Sequence, residues 1–201
     1  MPSLTIVRHG QSTYNLQNRF TGNLDVPLTT LGEEEAIAAG KKLQHFNYHL
    51  AYTSTLKRAQ KTLEIILQEI HQTSVPIIKN ASLNERMYGS LQGLNKAETT
   101  IKYGETQVEM WRRSYNARPP KGESLEDTFN RTVPYYKTNI RPQLTNGKTI
   151  LIVAHGNSLR ALMMYLENIN SVEISKVNIP TGLPRVYTFG DGLKLINVRY
   201  L

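Results

Sequence analysis

The chain has 201 residues, of which 39% are hydrophobic, and it contains no cysteine. This size and apolar content are typical of one domain with a full core, and we expect residues 1–201 to form a single domain. No apolar run approaches the roughly 20 residues of a membrane span, and the absence of cysteine excludes disulfides, thiolate metal sites and cysteine catalysis. We therefore expect a cytoplasmic protein without a signal peptide.

The charge balance favours anionic partners. Lys and Arg number 24 against 16 Asp and Glu, which gives a formal net charge of +8. A nucleic-acid partner would need a stripe of basic residues or an aromatic platform, and neither is evident. The arginines fall instead at predicted turns and segment ends: Arg8, Arg58, Arg86, Arg112 and Arg113. This distribution favours a pocket for a small phosphorylated molecule.

The first half of the chain alternates strand and helix signals. In chain order we predict a buried strand at 3–7, turns over 8–30, a helix from Thr30 to about His45, a strand at 51–53, a helix capped by Ser54 with apolar positions to Ile70, and a strand at 75–78.

The second half begins with a loop over residues 81–94. We then predict a helix opened by Asn95, a helical piece that carries Trp111, a break at 119–122, a helix from Ser124 that Pro134 kinks or interrupts, a strand at 149–154, a helix at 157–167 and a hairpin of 186–189 with 193–198. This alternation indicates an α/β three-layer sandwich, with a mostly parallel central sheet between helices and one antiparallel edge strand.

One short phrase occurs twice. The apolar run that ends at Val7 continues as Arg8-His9-Gly10, and the run that ends at Ala154 continues as His155-Gly156. In open α/β sheets, ligands bind where strands end at their carboxyl side. Two such strands lying side by side would bring the two imidazoles together.

His9 is the candidate nucleophile. The turn after it is rich in hydrogen-bond donors, Gly10 allows a close backbone approach, and the backbone amides there are expected to form an anion nest. A neutral imidazole can hold a covalent intermediate, and neighbouring arginines disfavour its protonation. A histidine with arginines nearby, and without the spacing of a metal ligand, suggests the transfer of a phosphoryl group.

Other residues have a functional and a structural interpretation. His155 is either a donor to a transferring phosphoryl group or a buried core histidine, with metal binding a weaker third interpretation. Arg58, in the first turns of a helix, either faces an anion or is surface charge. Glu85 is either a general acid/base or an ion pair with Arg86. Arg112 and Arg113 could reach a carboxylate or phosphate through their guanidinium groups, and Lys96 could add a point charge.

Together these residues resemble the histidine phosphatase superfamily and, more narrowly, the cofactor-dependent phosphoglycerate mutases. The matching phrases span nearly the whole chain: 7–12, 18–22, 51–54, 56–59, 83–89, 91–98, 111–113, 154–161 and 178–182. Arg8-His9-Gly10 marks only the superfamily, whereas Leu91-Gln92-Gly93-Leu94-Asn95-Lys96 and Trp111-Arg112-Arg113 are far more specific to the mutases.

The resemblance implies interconversion of 2- and 3-phosphoglycerate through a phosphohistidine on His9, primed by 2,3-bisphosphoglycerate and needing no metal. The catalytic residues it implies are Arg8, His9, Arg58, Glu85 and His155. The substrate-binding residues are expected to be Arg8, Gly10, Gln11, Ser12, Asn15, Thr21, Gly22, Arg58, Glu85, Arg86, Met87, Tyr88, Lys96, Arg112, Arg113, Gly156 and Asn157.

The chain departs from that pattern in two places. A long insertion of the larger bacterial members is reduced to Lys121-Gly122, and the sequence ends at Leu201 where many members continue into a covering tail. We therefore expect a more open site, and the resemblance leaves the oligomeric state open, with a homodimer as one possibility. The alternatives are a phosphatase of the same superfamily, or an idle regulatory module, against which the intact His9, Glu85 and His155 argue.

Overall fold

Six strands form one mixed sheet at the centre of the protein. The computed structural model describes all residues from 1 to 201 and orders the strands β3-β2-β4-β1-β5-β6. Their bounds are β1 Ser3–Arg8, β2 Leu50–Thr53, β3 Ile77–Lys79, β4 Thr149–Ala154, β5 Arg185–Phe189 and β6 Leu195–Tyr200. Strands β1 to β4 run parallel, and β5 is antiparallel to both β1 and β6. The predicted α/β architecture is confirmed, including an antiparallel hairpin at one edge.

The helices cover both faces of the sheet. Their bounds are α1 Thr13–Leu16, α2 Thr30–Leu43, α3 Lys57–Glu69, α4 Lys96–Tyr103, α5 Glu105–Arg113, α6 Leu125–Tyr135, α7 Arg141–Thr145 and α8 Gly156–Glu167. Side chains alternate along each strand, so Ile152 packs in the core beneath α8, whereas Val153 packs in the core beneath α2 and α3. None of these helices is long and apolar enough to cross a membrane.

Several helix ends differ from the sequence-based prediction. The N-cap of α3 is Leu56, not Ser54, because the Ser54 hydroxyl accepts a bond from the Leu56 amide in the turn before the helix. The N-cap of α2 is Thr29, whose side chain accepts from the Gly32 amide. Pro134 lies inside α6, and the helix passes into a π-helical turn at Tyr136–Ile140. A proline has no amide to donate, which favours such a change of hydrogen-bond pattern.

The pairing of β1 with β4 places the two His-Gly phrases side by side. Val7 pairs with Val153 and Arg8 with Ala154, and the amide of His9 donates to the Ala154 carbonyl at 3.0 Å. His9 and His155 each follow the last residue of this paired segment. A contact between residues 146 positions apart thus follows directly from strand register.

Candidate active site

His9 and His155 lie in contact at the carboxyl ends of β1 and β4. Their ring centroids are 4.9 Å apart, and the ring planes are inclined by 61°. The two side chains are buried, with 3% and 0% of their surface exposed. With Arg8 and Arg58 they form what we call the inner floor of the site.

The contacts of His9 show which of its two ring nitrogens carries the proton. Its Nδ1 lies 2.7 Å from the Gly10 carbonyl oxygen, which can only accept, so Nδ1 carries the ring proton. The Arg58 Nε–H donates to Nε2 at 3.3 Å, which requires a lone pair there. Burial, followed by the charges of Arg58 and Arg8, holds the pKa of His9 well below its ordinary value. His9 is therefore a neutral imidazole with its lone pair on Nε2.

The two floor arginines are anchored by backbone carbonyls. Arg58 donates from Nη1 and Nη2 to the carbonyls of Leu24 and Gly22, each at 2.8 Å, and burial lowers its pKa to about 10. Arg8 donates from Nη1 to the Ile179 carbonyl at 2.8 Å, while its buried Nε has no partner within the chain. These bonds leave donor capacity on Arg8 for an anion.

The side chain of His155 is held by Ser54, in the turn before α3. Its Nε2 lies 2.7 Å from the Ser54 hydroxyl, and its buried Nδ1 has no hydrogen-bond partner within the chain. The pKa of His155 lies well below the usual histidine value, chiefly because the ring is buried and secondly because of the charges of Arg58 and His9. His155 also precedes the first residue of α8, so the positive end of that helix dipole lies at the floor.

Glu85 is oriented by two backbone amides. Its Oε1 accepts from the amides of Arg86 at 2.8 Å and Asn157 at 3.1 Å. Its Oε2 and the Arg8 Nε both lie 3.6 Å from where a Cβ on Gly156 would stand. The alternative of an ion pair with Arg86 is wrong, because that guanidinium binds Tyr88 and the end of α5. One oxygen of Glu85 thus remains free for proton transfer.

The predicted anion nest after His9 is wrong. The amide of Gly10 donates to the Thr62 hydroxyl, that of Gln11 to a Glu35 carboxylate oxygen, and that of Ser12 to the side chain of Asn15. These bonds satisfy the amides within the chain. The backbone amides after His9 are therefore not available to bind an anion.

Above the floor, an open pocket with a volume of about 200 Å³ collects most of the predicted substrate-binding residues. Those that line it are Arg8, Asn15, Thr21, Gly22, Glu85, Tyr88, Lys96, Arg112, Arg113, Gly156 and Asn157. Drug-sized ligands occupy about 300–1,000 Å³, so this pocket suits a smaller molecule. We call Lys96, Arg112 and Arg113 its outer wall.

Five pocket residues were not predicted from the sequence: Arg19, Phe20, Arg160, Asn178 and Ile179. Arg160 follows Gly156 and Asn157 by four and three positions on α8, so a helical projection from Gly156 would have found it. The other four lie in two of the phrases that carry the family resemblance.

Six predicted binding residues lie outside the pocket lining, and one of them, Arg58, belongs to the inner floor. Gly10 permits a close approach, because a Cβ there would lie 2.0 Å from the Gly32 carbonyl oxygen. Gln11 contacts Thr29, and Ser12 caps α1. The remaining two are Arg86, which is fully buried, and Met87, which is exposed and contacts Asn23. Their contacts within the chain explain why these side chains support the site and do not line it.

The pocket fits an anion with more than one charged group. Six cationic side chains line it (Arg8, Arg19, Lys96, Arg112, Arg113 and Arg160) against one carboxylate, Glu85. The buried Nε of Arg8, which has no partner within the chain, adds a free donor to this lining. No group of three or more His, Asp or Glu side chains is arranged to hold a metal ion.

Curated relatives match almost the whole chain. A 2,3-bisphosphoglycerate-dependent phosphoglycerate mutase of Cytophaga hutchinsonii is 56% identical over 201 residues, covering 100% of this chain and 94% of the relative. Proteins of the same name from Bartonella henselae and Treponema denticola are 54% and 48% identical, covering 94% and 98% of this chain and 93% and 91% of their own. The Treponema alignment spans 225 positions, so that relative carries at least 24 residues (225 − 201) that this chain lacks.

Solved structures show the same fold. Bacillus stearothermophilus YhfR superposes with a TM-score of 0.85 at 25% identity, covering 98% of this chain and 95% of its own. A mycobacterial glucosyl-3-phosphoglycerate phosphatase gives a TM-score of 0.84 at 24% identity, covering 98% and 96%. The model of the histidine phosphatase superfamily (branch 1) matches residues 4–197. With two buried histidines and their arginines at the ends of β1 and β4, this chain belongs to the histidine phosphatase superfamily.

Proposed function

We propose that this protein is a 2,3-bisphosphoglycerate-dependent phosphoglycerate mutase, which interconverts 2- and 3-phosphoglycerate in glycolysis and gluconeogenesis. The observation that carries the proposal is a neutral, buried His9 that accepts a bond from Arg58, and whose chain neighbour Arg8 lines a pocket together with Glu85 and five further cations. The names of the full-length relatives support the same substrates. Such a role would place the protein in the cytoplasm.

The inner floor performs the phosphoryl transfer. The lone pair on Nε2 of His9 attacks phosphorus, the N–P bond forms, and the bond from phosphorus to the leaving oxygen breaks. Arg58, which donates to Nε2, and the neighbouring Arg8 and His155 stabilise the charge on the equatorial oxygens. When bound, 2,3-bisphosphoglycerate supplies the phosphoryl group that primes His9.

Glu85 handles the proton of the substrate hydroxyl. Its Oε1 is held by two amides, so Oε2 is the oxygen that accepts the proton as the hydroxyl attacks and returns it to the oxygen that leaves. Asn15, Thr21, Gly22, Tyr88, Gly156, Asn157 and the outer wall bind the rest of the phosphoglycerate. The guanidinium forks of Arg112 and Arg113 suit its carboxylate or phosphate.

A coupled enolase assay tests this function. We expect 3-phosphoglycerate to be converted to 2-phosphoglycerate, with turnover that depends on catalytic amounts of 2,3-bisphosphoglycerate and persists in EDTA. Inorganic phosphate is measured in the same reactions. If phosphate release exceeds isomerisation, the chain is a phosphatase and not a mutase, and a loss of activity in EDTA that Mn²⁺ or Mg²⁺ restores would contradict the metal-independent mechanism.

A further inference from the structure

Two buried arginines hold the C-terminal end of α5. The Nη2 of Arg86 donates to the carbonyls of Trp111 and Arg112, each at 2.9 Å, and the Nη2 of Arg160 donates to the carbonyl of Arg113 at 3.1 Å. The last carbonyls of a helix have no partner within the helix and carry its negative dipole end. Three consecutive carbonyls are thus capped by guanidinium groups from outside the helix.

Neither arginine has a carboxylate partner. Arg86 is 0% exposed and Arg160 4% exposed, and neither takes part in a salt bridge. Burial, then the charges of Arg86 and Arg113, lowers the pKa of Arg160 to about 10. A buried charge without an opposite charge lowers the stability of the folded protein. Arginine is therefore an unfavourable residue at these two positions if its only role is to pack the interior. Their contacts point to a role in the site.

The same two arginines also orient Tyr88. Arg160 Nη1 donates to Asn157 Oδ1 at 3.1 Å, and Asn157 Nδ2 lies 3.4 Å from the Tyr88 hydroxyl oxygen. Arg86 Nη2 donates to that oxygen at 2.9 Å, with its guanidinium carbon 4.7 Å from the ring centroid. Since this oxygen accepts from both sides, the hydroxyl hydrogen of Tyr88 is left to donate into the pocket.

We propose that Arg86 and Arg160 are positioning residues, which hold Arg112, Arg113 and the Tyr88 hydroxyl in place to bind the substrate anion. The identity of that anion as a phosphoglycerate rests on the proposed function. The two arginines act through the backbone of α5 and through Asn157, so they affect binding of the part of the substrate that reaches the outer wall. Arg160 lies on α8, which begins directly after His155, but neither arginine forms a hydrogen bond to a side chain of the inner floor.

Lysine cannot replace arginine here. Arg160 reaches Asn157 from Nη1 and Arg113 from Nη2, and a lysine keeps the charge but lacks this planar fork. At position 86 all three bonds come from Nη2, and the shorter lysine side chain ends before the place of that atom. Hydrogen bonds to charged groups contribute about 1.5–3 kcal/mol each, so losing one that orders the outer wall should weaken substrate binding about 10- to 100-fold.

The test compares Arg160→Met, Arg160→Lys and Arg86→Lys with the unaltered chain. Calorimetry measures binding of 3-phosphoglycerate, which needs both parts of the site, and of orthovanadate, which needs only the inner floor. Acrylamide quenching of Trp111, the single tryptophan, reports how tightly the end of α5 is packed. Arg185→Met is the matched control, since Arg185 is also largely buried but pairs with Glu167 on α8, away from the pocket.

We expect 3-phosphoglycerate affinity to fall about 10- to 100-fold in the Arg160 and Arg86 variants. Vanadate affinity should change less than about twofold, Trp111 should become more accessible to acrylamide, and Arg185→Met should alter none of these properties. KM should rise with little change in kcat. The two lysine variants keep the test decisive if Arg160→Met does not fold.

Unchanged 3-phosphoglycerate affinity in the folded lysine variants would overturn the proposal, as would equal losses of vanadate and 3-phosphoglycerate binding. These measurements need no turnover. If the unaltered chain fails to isomerise 3-phosphoglycerate, the proposed function fails, while Trp111 quenching still decides whether the two arginines hold α5.

Discussion

The inner floor and the outer wall are built in different ways. His9, Arg58 and His155 are between 0% and 3% exposed, and the two histidines are positioned by the register of β1 and β4. The side chains of Arg112 and Arg113 are about a third exposed (35% and 33%) and come from α5, which is outside the sheet and tied down by side-chain bonds to its carbonyls. Under the proposed function, the covalent chemistry would therefore lie where backbone pairing determines the geometry, and recognition of the substrate would lie where side-chain bonds hold α5.

The largest effect should come from removing the floor nucleophile. His9→Asn keeps a polar group but cannot accept a phosphoryl group, so turnover should fall about 10⁴- to 10⁶-fold, as when an enzymatic nucleophile is deleted. Labelling with 2,3-bisphosphoglycerate should yield an acid-labile, base-stable phosphoenzyme in the unaltered chain and none in the variant. The matched control is His45→Asn at an exposed position. A variant that labels to the same extent would show that His9 is not the nucleophile.

Glu85→Gln should have the next largest effect. Glutamine can still accept from the amides of Arg86 and Asn157, but it cannot take up a proton, so turnover should fall about 10²- to 10⁴-fold with phosphate binding retained. Steady-state kinetics and phosphate titration measure the two quantities. Glu98→Gln, at an exposed position on α4, is the control. Unchanged turnover would reduce Glu85 to a structural role.

A change in the outer wall should affect binding more than chemistry. Arg113→Met removes a guanidinium from the pocket, and KM for 3-phosphoglycerate should rise about 10- to 100-fold with a much smaller change in kcat. Phosphoenzyme formation at saturating donor should survive. The control, Arg118→Met, removes an exposed arginine paired with Asp127 outside the pocket. A large fall in kcat at constant KM would abolish the distinction between wall and floor.

The smallest effect concerns pH and stability. The pKa values of His9 and His155 are depressed in the folded protein, so below about pH 6.5 the unfolded chain binds protons that the folded chain does not. Stability should therefore decline as pH falls below about 6.5, by up to about 1.4 kcal/mol per pH unit for each histidine.

Urea unfolding between pH 7 and pH 5 measures this slope. His155→Asn should reduce the slope by up to about 1.4 kcal/mol per pH unit, whereas Arg113→Met should leave it unchanged, because that substitution removes neither floor histidine. Equal slopes in the unaltered chain and in His155→Asn would show that the floor histidines titrate normally in the folded state.

The floor was largely predictable from sequence because it depends on short-range patterns. Apolar runs predicted β1 and β4. Because a parallel sheet brings the carboxyl ends of its strands to one edge, the sequence also predicted that His9 and His155 lie close together. The neutral state of His9 followed from its arginine neighbours, and its lowered pKa agrees with that reasoning.

The supporting contacts were not predictable, since each depends on residues distant in sequence. The Gly10 amide donates to the Thr62 side chain on α3, and the Gln11 amide donates to the Glu35 side chain on α2. Because these amides are already bonded, the expected anion nest does not form. Arg86 was expected to bind substrate, yet its guanidinium turns toward α5. Local spacing cannot reveal such partners, because they appear only when helices pack against the loop that follows β1.

The position of β1 inside the sheet has a consequence for the order in which the protein acquires activity during synthesis. The strand that leads to His9 is made before the other five, yet its partners are β4 and β5, which lie about 150 and 180 residues further along the chain. Such non-local pairing is slow to form and must wait for the later segments. A nascent chain that ends within β4 has His9 without His155, and without the Asn157 amide, one of the two amides that orient Glu85. The buried surroundings of His9 are therefore complete only after β4 and β5 have been made.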